Sequence, residues 1–296
     1  MSSLPPTSPA RPTLADLALA DMAAIRARHP AAFKSDMAGR SRAALVILVL
    51  VALALFAFLA LDFSPARLMA GLDRLGLFVS LLFPPDAHGR FPAFLKALGE
   101  TLAIALIGTL TAALVAFPFA FLAAKNVIPN FFVHFSLRRI FDVSRSVDTL
   151  IWALMWINVV GLGPFAGALA IACADFGAFG KLFSEAIEAA DRKPVEGVMA
   201  SGGSDLHRMR FALLPQVLPV MASQVLYFFE SNTRSATIIG IVGAGGIGGY
   251  LTELIRTLEM DQVCVIILMI LATVAAIDFV SSRLRFAIIG RKGAAA

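Results

Sequence analysis

Charged residues are scarce in this chain of 296 residues. Only 15% are Asp, Glu, Lys or Arg, and 59% are hydrophobic, whereas soluble domains have about 25% charged and roughly 45–50% apolar residues. This composition excludes an ordinary soluble domain, because too few polar groups are available to cover a surface in water. We therefore predict an all-α membrane protein whose apolar surface is solvated by lipid.

Cysteine and histidine are also sparse. The two cysteines, Cys173 and Cys264, lie in apolar segments, which favours packed thiols over a disulfide or a metal site. The four histidines are scattered without the spacing of metal ligands. The sequence thus predicts neither a metal nor a cofactor in this chain. The net charge of +5 does not indicate nucleic-acid binding, because the basic residues are not clustered with aromatic ones.

Long apolar runs predict about six transmembrane helices. A helix needs about 20 apolar residues to cross the hydrocarbon core, and a Gly-Pro turn at 161–164 divides one of the uncharged runs. The segment 64–94 is too long and polar for a tight turn, so we expect a short helix and a loop outside the membrane. The predicted spans are Ala43–Leu61, Thr101–Ala124, Val147–Val160, Pro164–Phe183, Pro215–Phe229 and Gln262–Ser282.

Lys and Arg residues predict the orientation. They concentrate in the N-terminal tail, in the loops after the second and fourth spans, and in the C-terminal tail, which all fall on one side if there are six spans. Basic residues favour the cytoplasm, so both termini are expected there. The predicted parts are a tail 1–40, with an amphipathic helix at Leu14–His29, a transmembrane domain 41–290 and a tail 291–296.

The predicted cytoplasmic loop 184–214 is polar, and it contains a glutamate, a pair of glycines and a Leu-Pro pair at defined spacings. Gly202 and Gly203 are expected to form a sharp turn between two short helices, since glycine reaches positive φ without strain. Glu196 is predicted near the end of the first helix, where it could cap or brace the loop. Leu214 and Pro215 are predicted to mark the start of the fifth span. The alternative is an ordinary loop between two helices.

A polar run is predicted to follow the fifth span directly. Glu230, Asn232, Arg234 and Ser235 stand between two apolar segments. Such groups are costly in lipid and usually face a protein interior or a water-filled path, and the planar fork of an arginine suits phosphate-like oxyanions. Two readings stay open, a gate or anion contact in the pathway, and a structural salt bridge between Glu230 and Arg234. Asp175 in the fourth span could bind substrate or cap a helix.

The glycine-rich segment 240–249 includes Gly243, Gly245 and Gly246, and its residues 243–248 match the dinucleotide-binding fingerprint. That fingerprint requires a strand before it, a helix after it and further α/β alternation, which the sequence lacks. A membrane-anchored oxidoreductase is therefore disfavoured. The glycines favour a close approach of helices or a re-entrant turn beside the pathway.

The loop spacing resembles the coupling loop of ABC-importer permeases, which docks on an ATPase subunit. Gly197 and Val198 stand where that family has an Ala pair, and Ala212 replaces its Ile. The positions that agree with the family pattern are Glu196, Gly202, Leu214 and Pro215.

Further runs resemble the permease subunit of phosphonate ABC importers over roughly residues 83–286. They are the residues 160–167, 182–188, 213–219 and 229–237, together with 243–248. The resemblance implies a type I importer of the bacterial inner membrane whose permease is not itself an enzyme. It implies two permease copies around a two-fold axis, two cytoplasmic ATPase subunits that bind ATP and Mg, and a periplasmic phosphonate-binding protein. The two copies of Arg234 could then face one another across the pathway.

Two alternatives remain at this stage. A permease for methionine or a quaternary amine would have similar loops and glycines. An ion-coupled secondary carrier generally shows two repeated halves, and no internal repeat is visible here.

Overall fold

The computed structural model describes residues 22, 26–27, 37–61 and 64–293, and those residues form helices and connecting turns without a strand. The predicted helix at Leu14–His29 lies outside the described residues, apart from Met22, Arg26 and Ala27, as does most of the tail 1–40. The chain divides into two units, residues 1–74 and 75–296. The first contains α1 (Met37–Ala60) and the start of α2 (Pro65–Leu81).

The second unit contains the remaining helices, joined by short turns. A π-helical turn, Arg208–Leu213, runs directly into the α-helix that follows it. The elements are α3 (Phe91–Ala123), α4 (Phe131–Ser146), α5 (Thr149–Val160), α6 (Pro164–Glu188), α7 (Arg192–Ala200), α8 (Asp205–His207), α9 (Leu214–Ile241), α10 (Ile247–Thr257) and α11 (Met260–Gly293).

Five helical stretches of the described residues are long and apolar enough to cross a membrane. The stretch in α1 has no buried residue in its most apolar window, and a helix that is apolar on all sides without a protein core around it is typical of a membrane span. The predicted helix and loop between the first two spans are confirmed as α2 and residues 82–90. The five stretches are Ser41–Ala60, Phe91–Ala123, Pro164–Glu188, Asp205–Ile241 and Met260–Ile288.

The third predicted span, Val147–Val160, corresponds to α5, which has only 12 residues. A helix of that length is too short for the roughly 30 Å hydrocarbon core. α4 and α5 instead follow one another along α6. The Ser144 hydroxyl donates to the Cys173 carbonyl at 2.6 Å, and Ala153 of α5 packs in one cluster with Ala170 of α6. The two short helices together occupy the place of a single predicted span.

The helices of the second unit pack closely because their contact faces carry small residues. Half of the buried residues of α3 are alanine, and Gly108 lies in the middle of that face. A Cβ added at Gly108 would lie 2.7 Å from the Cβ of Ile171 in α6. Small residues let helix backbones approach closely where lipid supplies no hydrophobic driving force. α3 and α6 thereby form the centre against which α9 packs.

Charged side chains tie the turn before α3 to the connection between α10 and α11. The His88 ring is hydrogen-bonded to Asp261 at the start of α11, and Arg90 Nη1 lies 3.5 Å from Glu259 Oε2. Asp86 Oδ2 is 3.7 Å from His88 Nδ1. The hydrogen bond to Asp261, and after it the negative charge of Asp86, raises the pKa of His88 above its ordinary 6.5.

We expect this tie to weaken as the pH rises. A raised folded-state pKa means that protonated His88 stabilises the tie at pH values below 6.5, and that this contribution is lost as the pH rises through the raised pKa. Hydrogen exchange of the amides in residues 86–90, corrected for intrinsic rates, should show less protection at high pH. His88→Gln should lose most of this difference, and Arg90→Gln should retain it. Equal protection of the wild type at low and high pH would contradict the assignment.

Candidate functional site

The loop between α6 and α9 contains a tight turn between two short helices. Gly202 has φ 80°, which agrees with the predicted role of glycine there. A Cβ on Gly203 would lie 2.8 Å from both the carbonyl oxygen and Cγ1 of Val198, so Gly203 is the closely packed member of the pair. Ser204 then caps α8 in a reciprocal box with His207. We call residues 192–211 the loop surface.

The two ends of the loop are held together by the side chain of Gln216. The Asp191 amide donates to Gln216 Oε1 at 3.0 Å. Gln216 Nε2 donates to the Asp191 carbonyl at 3.3 Å and to the Ala212 carbonyl at 2.8 Å. This clip closes the loop into one compact body. Sequence reasoning missed it, although an amide residue in the first turn of an apolar helix was a signal that could have been used.

Leu214 and Pro215 begin the α-helix α9, as predicted, but the helical path does not start there. The stretch Asp205–Ile241 is continuous and passes through the π-helical turn Arg208–Leu213 directly before it. A proline inside an α-helix lacks a donor and its ring clashes with the carbonyl four residues earlier. A π-helical turn holds an extra residue and so relieves that clash. The fifth span is therefore joined without a break to α8 of the loop surface.

Glu196 lies in the middle of α7 and not near its end, so the predicted cap is wrong. Its side chain is exposed and has no hydrogen bond or ion pair within the described part of the chain. Three large apolar side chains are exposed on the same loop surface, namely Met199 at 46%, Leu206 at 72% and Phe211 at 59%. Exposed apolar groups beside charged ones are typical of a surface that docks on a partner.

The second predicted site lies inside α9 and not after a span that ends at Phe229, so that predicted end is wrong. Glu230 and Asn232 are buried, Ser235 is partly buried, and the Arg234 side chain is 49% exposed. The polar run did not end the helix, because Glu230 and Asn232 have partners on other helices and Arg234 and Ser235 have partners within α9.

Glu230 is shared by two arginines. Its Oε2 accepts from Arg285 Nη2 of α11 at 3.2 Å, and its Oε1 lies 3.5 Å from Arg234 Nη1. Arg285 also lies over the Tyr227 ring, 5.9 Å from its centroid. The salt bridge expected from the sequence is thus present, and the structure adds Arg285, which the sequence did not indicate. The charges of Glu230, Arg234 and Arg285 sum to +1.

Asn232 joins three helices in the interior of the unit. Its Nδ2 donates to Thr109 Oγ1 of α3 at 2.8 Å and to the carboxylate of Asp175 in α6. Asp175 is buried and lies well inside α6, so the reading of this residue as a helix cap is wrong. Thr109 was not recognised from the sequence. This buried triad fixes the angular position of α9, and hence of Arg234 one half-turn later.

The glycine segment forms a turn between α9 and α10 that presses against other backbone. The Gly163 amide donates to the Gly243 carbonyl at 3.0 Å. A Cβ on Gly245 would lie 2.8 Å from the Pro164 nitrogen, and one on Gly246 would lie 2.4 Å from Thr101 Oγ1. Gly243, Gly245 and Gly246 all have positive φ. The segment thus lets helices approach closely, which is one of the two predicted features. The other, a re-entrant turn beside the pathway, stays a prediction.

The described residues contain no group of three or more His, Cys, Asp or Glu side chains that could hold a metal ion. Both cysteines are free thiols. The expectation that this chain binds no cofactor stays a prediction.

Known proteins similar to this chain were identified by sequence and by fold. HtxC of Stutzerimonas stutzeri, a permease protein assigned to a phosphite transport system, is 40% identical over 259 residues, which are 88% of this chain and 92% of HtxC. PhnE2 of Escherichia coli strain K12, assigned to a cryptic phosphonate transport system, is 50% identical over 37% of this chain and 89% of its own.

A solved structure has the same fold. A chain of the inward-facing MetNI methionine ABC transporter superposes with a TM-score of 0.58, covering 66% of this chain and 95% of that one at 18% identity. The predicted all-α permease fold is thereby confirmed. Residues 116–292 match the family described as the binding-protein-dependent transport system inner membrane component, and this chain belongs to that family.

Proposed function

We propose that this chain is the permease subunit of an ATP-driven type I importer, and that its cargo is a phosphonate, phosphite or phosphate ester. The observation that carries the proposal is a cluster of two arginines, Arg234 and Arg285, around the single carboxylate of Glu230, within helices long and apolar enough to cross a membrane. The cluster has a net charge of +1. A charge in that position is expensive and marks a path for an ion of opposite sign. The names of HtxC and PhnE2 agree with a phosphorus oxyanion as that ion.

The proposed assembly contains two copies of this chain, two cytoplasmic ATPase subunits and a periplasmic binding protein. ATP and Mg belong to the ATPase, and the permease carries out no chemistry. The apolar and charged loop surface suits an ATPase groove, and the absence of a sequence repeat agrees with a homodimer around a two-fold axis. We infer that both termini lie in the cytoplasm, because Lys and Arg are enriched in both tails and in the loops after the second and fourth predicted spans.

Coupling would act through the continuous helix Asp205–Ile241. Arg234 lies about 43 Å from Asp205 along this helix at about 1.5 Å per residue. The Gln216 clip makes the loop move as one body with the start of α9. Closure of the ATPase dimer would therefore tilt α9 and change the access to Arg234 from the two sides.

The decisive experiment reconstitutes this chain with its ATPase and binding protein in lipid. Phosphite or methylphosphonate on the binding protein should stimulate ATP hydrolysis and drive uptake, and methionine or a quaternary amine should not compete. Stimulation by methionine or a quaternary amine alone would show that the cargo is that solute and not a phosphorus oxyanion. Uptake that depends on a proton gradient and not on ATP would favour the secondary carrier instead.

Gly203→Val is expected to uncouple the complex. The added carbons would meet the Val198 carbonyl and Cγ1, whose distance to a Cβ is already 2.8 Å, so the turn must open at a cost of about 1–3 kcal/mol. ATP-driven uptake should fall about tenfold or more. The matched control is Gly202→Asn, because nothing lies within 4 Å of its Cβ position and asparagine tolerates positive φ. Equal uptake by both variants would contradict this view of the turn.

A further inference from the structure

The two arginines that share Glu230 are held in different ways. Arg285 lies 3.2 Å from the Glu230 carboxylate, and its side chain is 24% exposed. Arg234 lies 3.5 Å from the same carboxylate, and its side chain is 49% exposed. The Glu230 side chain is only 10% exposed. A buried carboxylate needs a charged partner, and Arg285 is the closer and more buried of the two.

We propose that Glu230 and Arg285 form a permanent pair, and that Arg234 exchanges its Glu230 contact for the transported oxyanion. This inference rests on the proposed function and assigns a role to each member of the cluster. Arg285 neutralises Glu230 when Arg234 leaves it, so the exchange never leaves the carboxylate unpaired. Glu230 in turn forms an ion pair with Arg234 when no transported anion is present. Arg285 is thus a positioning residue that acts through Glu230.

Geometry supports an exchange at Arg234 and not at Arg285. Glu230 and Arg234 are one helical turn apart on α9, where a pair at that spacing contributes only a few tenths of a kcal/mol. Arg285 instead connects α11 with α9 and lies against the Tyr227 ring, at 5.9 Å from its centroid. Within the described part of the chain, Glu230 is the one hydrogen-bond partner that Arg234 has. Its remaining donors are available to a second set of oxygens.

The arrangement also selects among anions. Glu230 is tethered beside Arg234, so it competes with incoming carboxylates at a high effective concentration. A free carboxylate offers the same charge and the same two oxygens, and it gains nothing by displacing Glu230. A phosphorus oxyanion that has lost two protons carries a larger charge and binds the guanidinium fork more strongly. We therefore infer that Glu230 acts as an internal competitor that rejects singly charged carboxylates.

The test measures equilibrium binding to the whole complex of this chain with its ATPase, without nucleotide or binding protein. The titrants are sodium phosphite and sodium acetate at equal ionic strength. The wild type should bind phosphite and ignore acetate. Glu230→Gln should bind phosphite about tenfold more tightly and should let acetate compete. Arg285→Gln should bind phosphite about tenfold more weakly, because Glu230 then depends on Arg234 alone.

The double variant Glu230→Gln with Arg285→Gln is the critical comparison. It should regain the phosphite affinity that Arg285→Gln loses, because the competitor has been removed. A merely structural role of Arg285 would leave the double variant as weak as the single one, and that result would overturn the proposal. Arg283→Gln is the matched control, since this exposed neighbour lies over the Phe279 ring and not on Glu230. It should behave as the wild type does.

Glu230→Gln decides the question by itself if Arg285→Gln fails to accumulate. This substitution keeps the shape of the side chain and removes the charge. Unchanged phosphite affinity with continued rejection of acetate would overturn the proposal, as would a wild-type complex that binds no phosphite. Uptake by the complete transporter is measured separately. A transporter that binds oxyanions as described but carries another solute would refute the proposed cargo and leave the exchange intact.

Discussion

Gly248→Ala is expected to remove most of the folded protein from the membrane. A Cβ at this position of α10 would lie 2.1 Å from the Thr237 carbonyl oxygen and 2.9 Å from two backbone atoms of Gly240. All of these atoms belong to the backbone of α9, so no side chain can rotate away. The two helices must separate, and we expect a loss of about 3 kcal/mol or more in the free energy of unfolding.

The adjacent glycine provides a matched control for this prediction. A Cβ on Gly249 would have its nearest neighbour, the Gly240 carbonyl oxygen, at 3.8 Å, which is an ordinary contact. Gly249→Ala should therefore leave the protein unchanged or slightly more stable, because alanine favours a helix over glycine. The measurement is the amount of protein in the membrane and its thermal unfolding in detergent. Similar behaviour of both variants would mean that α9 and α10 are not in contact as described.

The order of the long membrane helices could be predicted from the sequence because lipid imposes a simple rule, whereas the predicted number of six exceeds the five stretches among the described residues. Apolar runs of sufficient length must become helices, and all six predicted spans start or end within a few residues of a described helix boundary. The boundaries were less predictable, because charged residues do not end a helix. α3 starts at Phe91 and includes Lys96 and Glu100, which precede the predicted start at Thr101.

The continuity of the loop with α9 could not be predicted. Leu214 and Pro215 indicate a helix start in most contexts, since proline is favoured in a first helical turn. Here a π-helical turn admits the proline within a longer helix. The π-helical turn follows from packing around the loop and leaves no regular pattern in the sequence. This continuity connects the loop surface to Arg234 through one helical stretch, as the proposed coupling requires.

The candidate site was predictable where its residues are close in sequence and hidden where they are distant. Glu230 and Arg234 are one helical turn apart, and their pairing follows from helical geometry. The partners Thr109, Asp175 and Arg285 lie 123, 57 and 55 residues from the α9 residues that they contact. No spacing rule operates over such separations, and only the packed bundle brings these side chains together.

Arg234→Gln is expected to abolish uptake of phosphite or methylphosphonate while the assembled complex persists. The substitution removes the exposed guanidinium, whose side chain is 49% exposed, and leaves Glu230 paired with Arg285 at 3.2 Å. No buried charge is therefore left alone, and folding should not suffer. A charged hydrogen bond to an anion contributes about 1.5–3 kcal/mol, so uptake should fall by about 100-fold. Transport assays in proteoliposomes, normalised to the amount of complex, provide the measurement.

Arg234→Lys separates charge from shape in the same assay. Lysine keeps the positive charge but lacks the planar fork that binds two oxygens at once. We expect uptake between that of the wild type and that of Arg234→Gln, reduced by about tenfold. Unimpaired uptake by Arg234→Gln would exclude an anion contact at this residue. Loss of the complex from the membrane in both variants would instead assign Arg234 to the structure of the bundle, because neither substitution leaves Glu230 without Arg285.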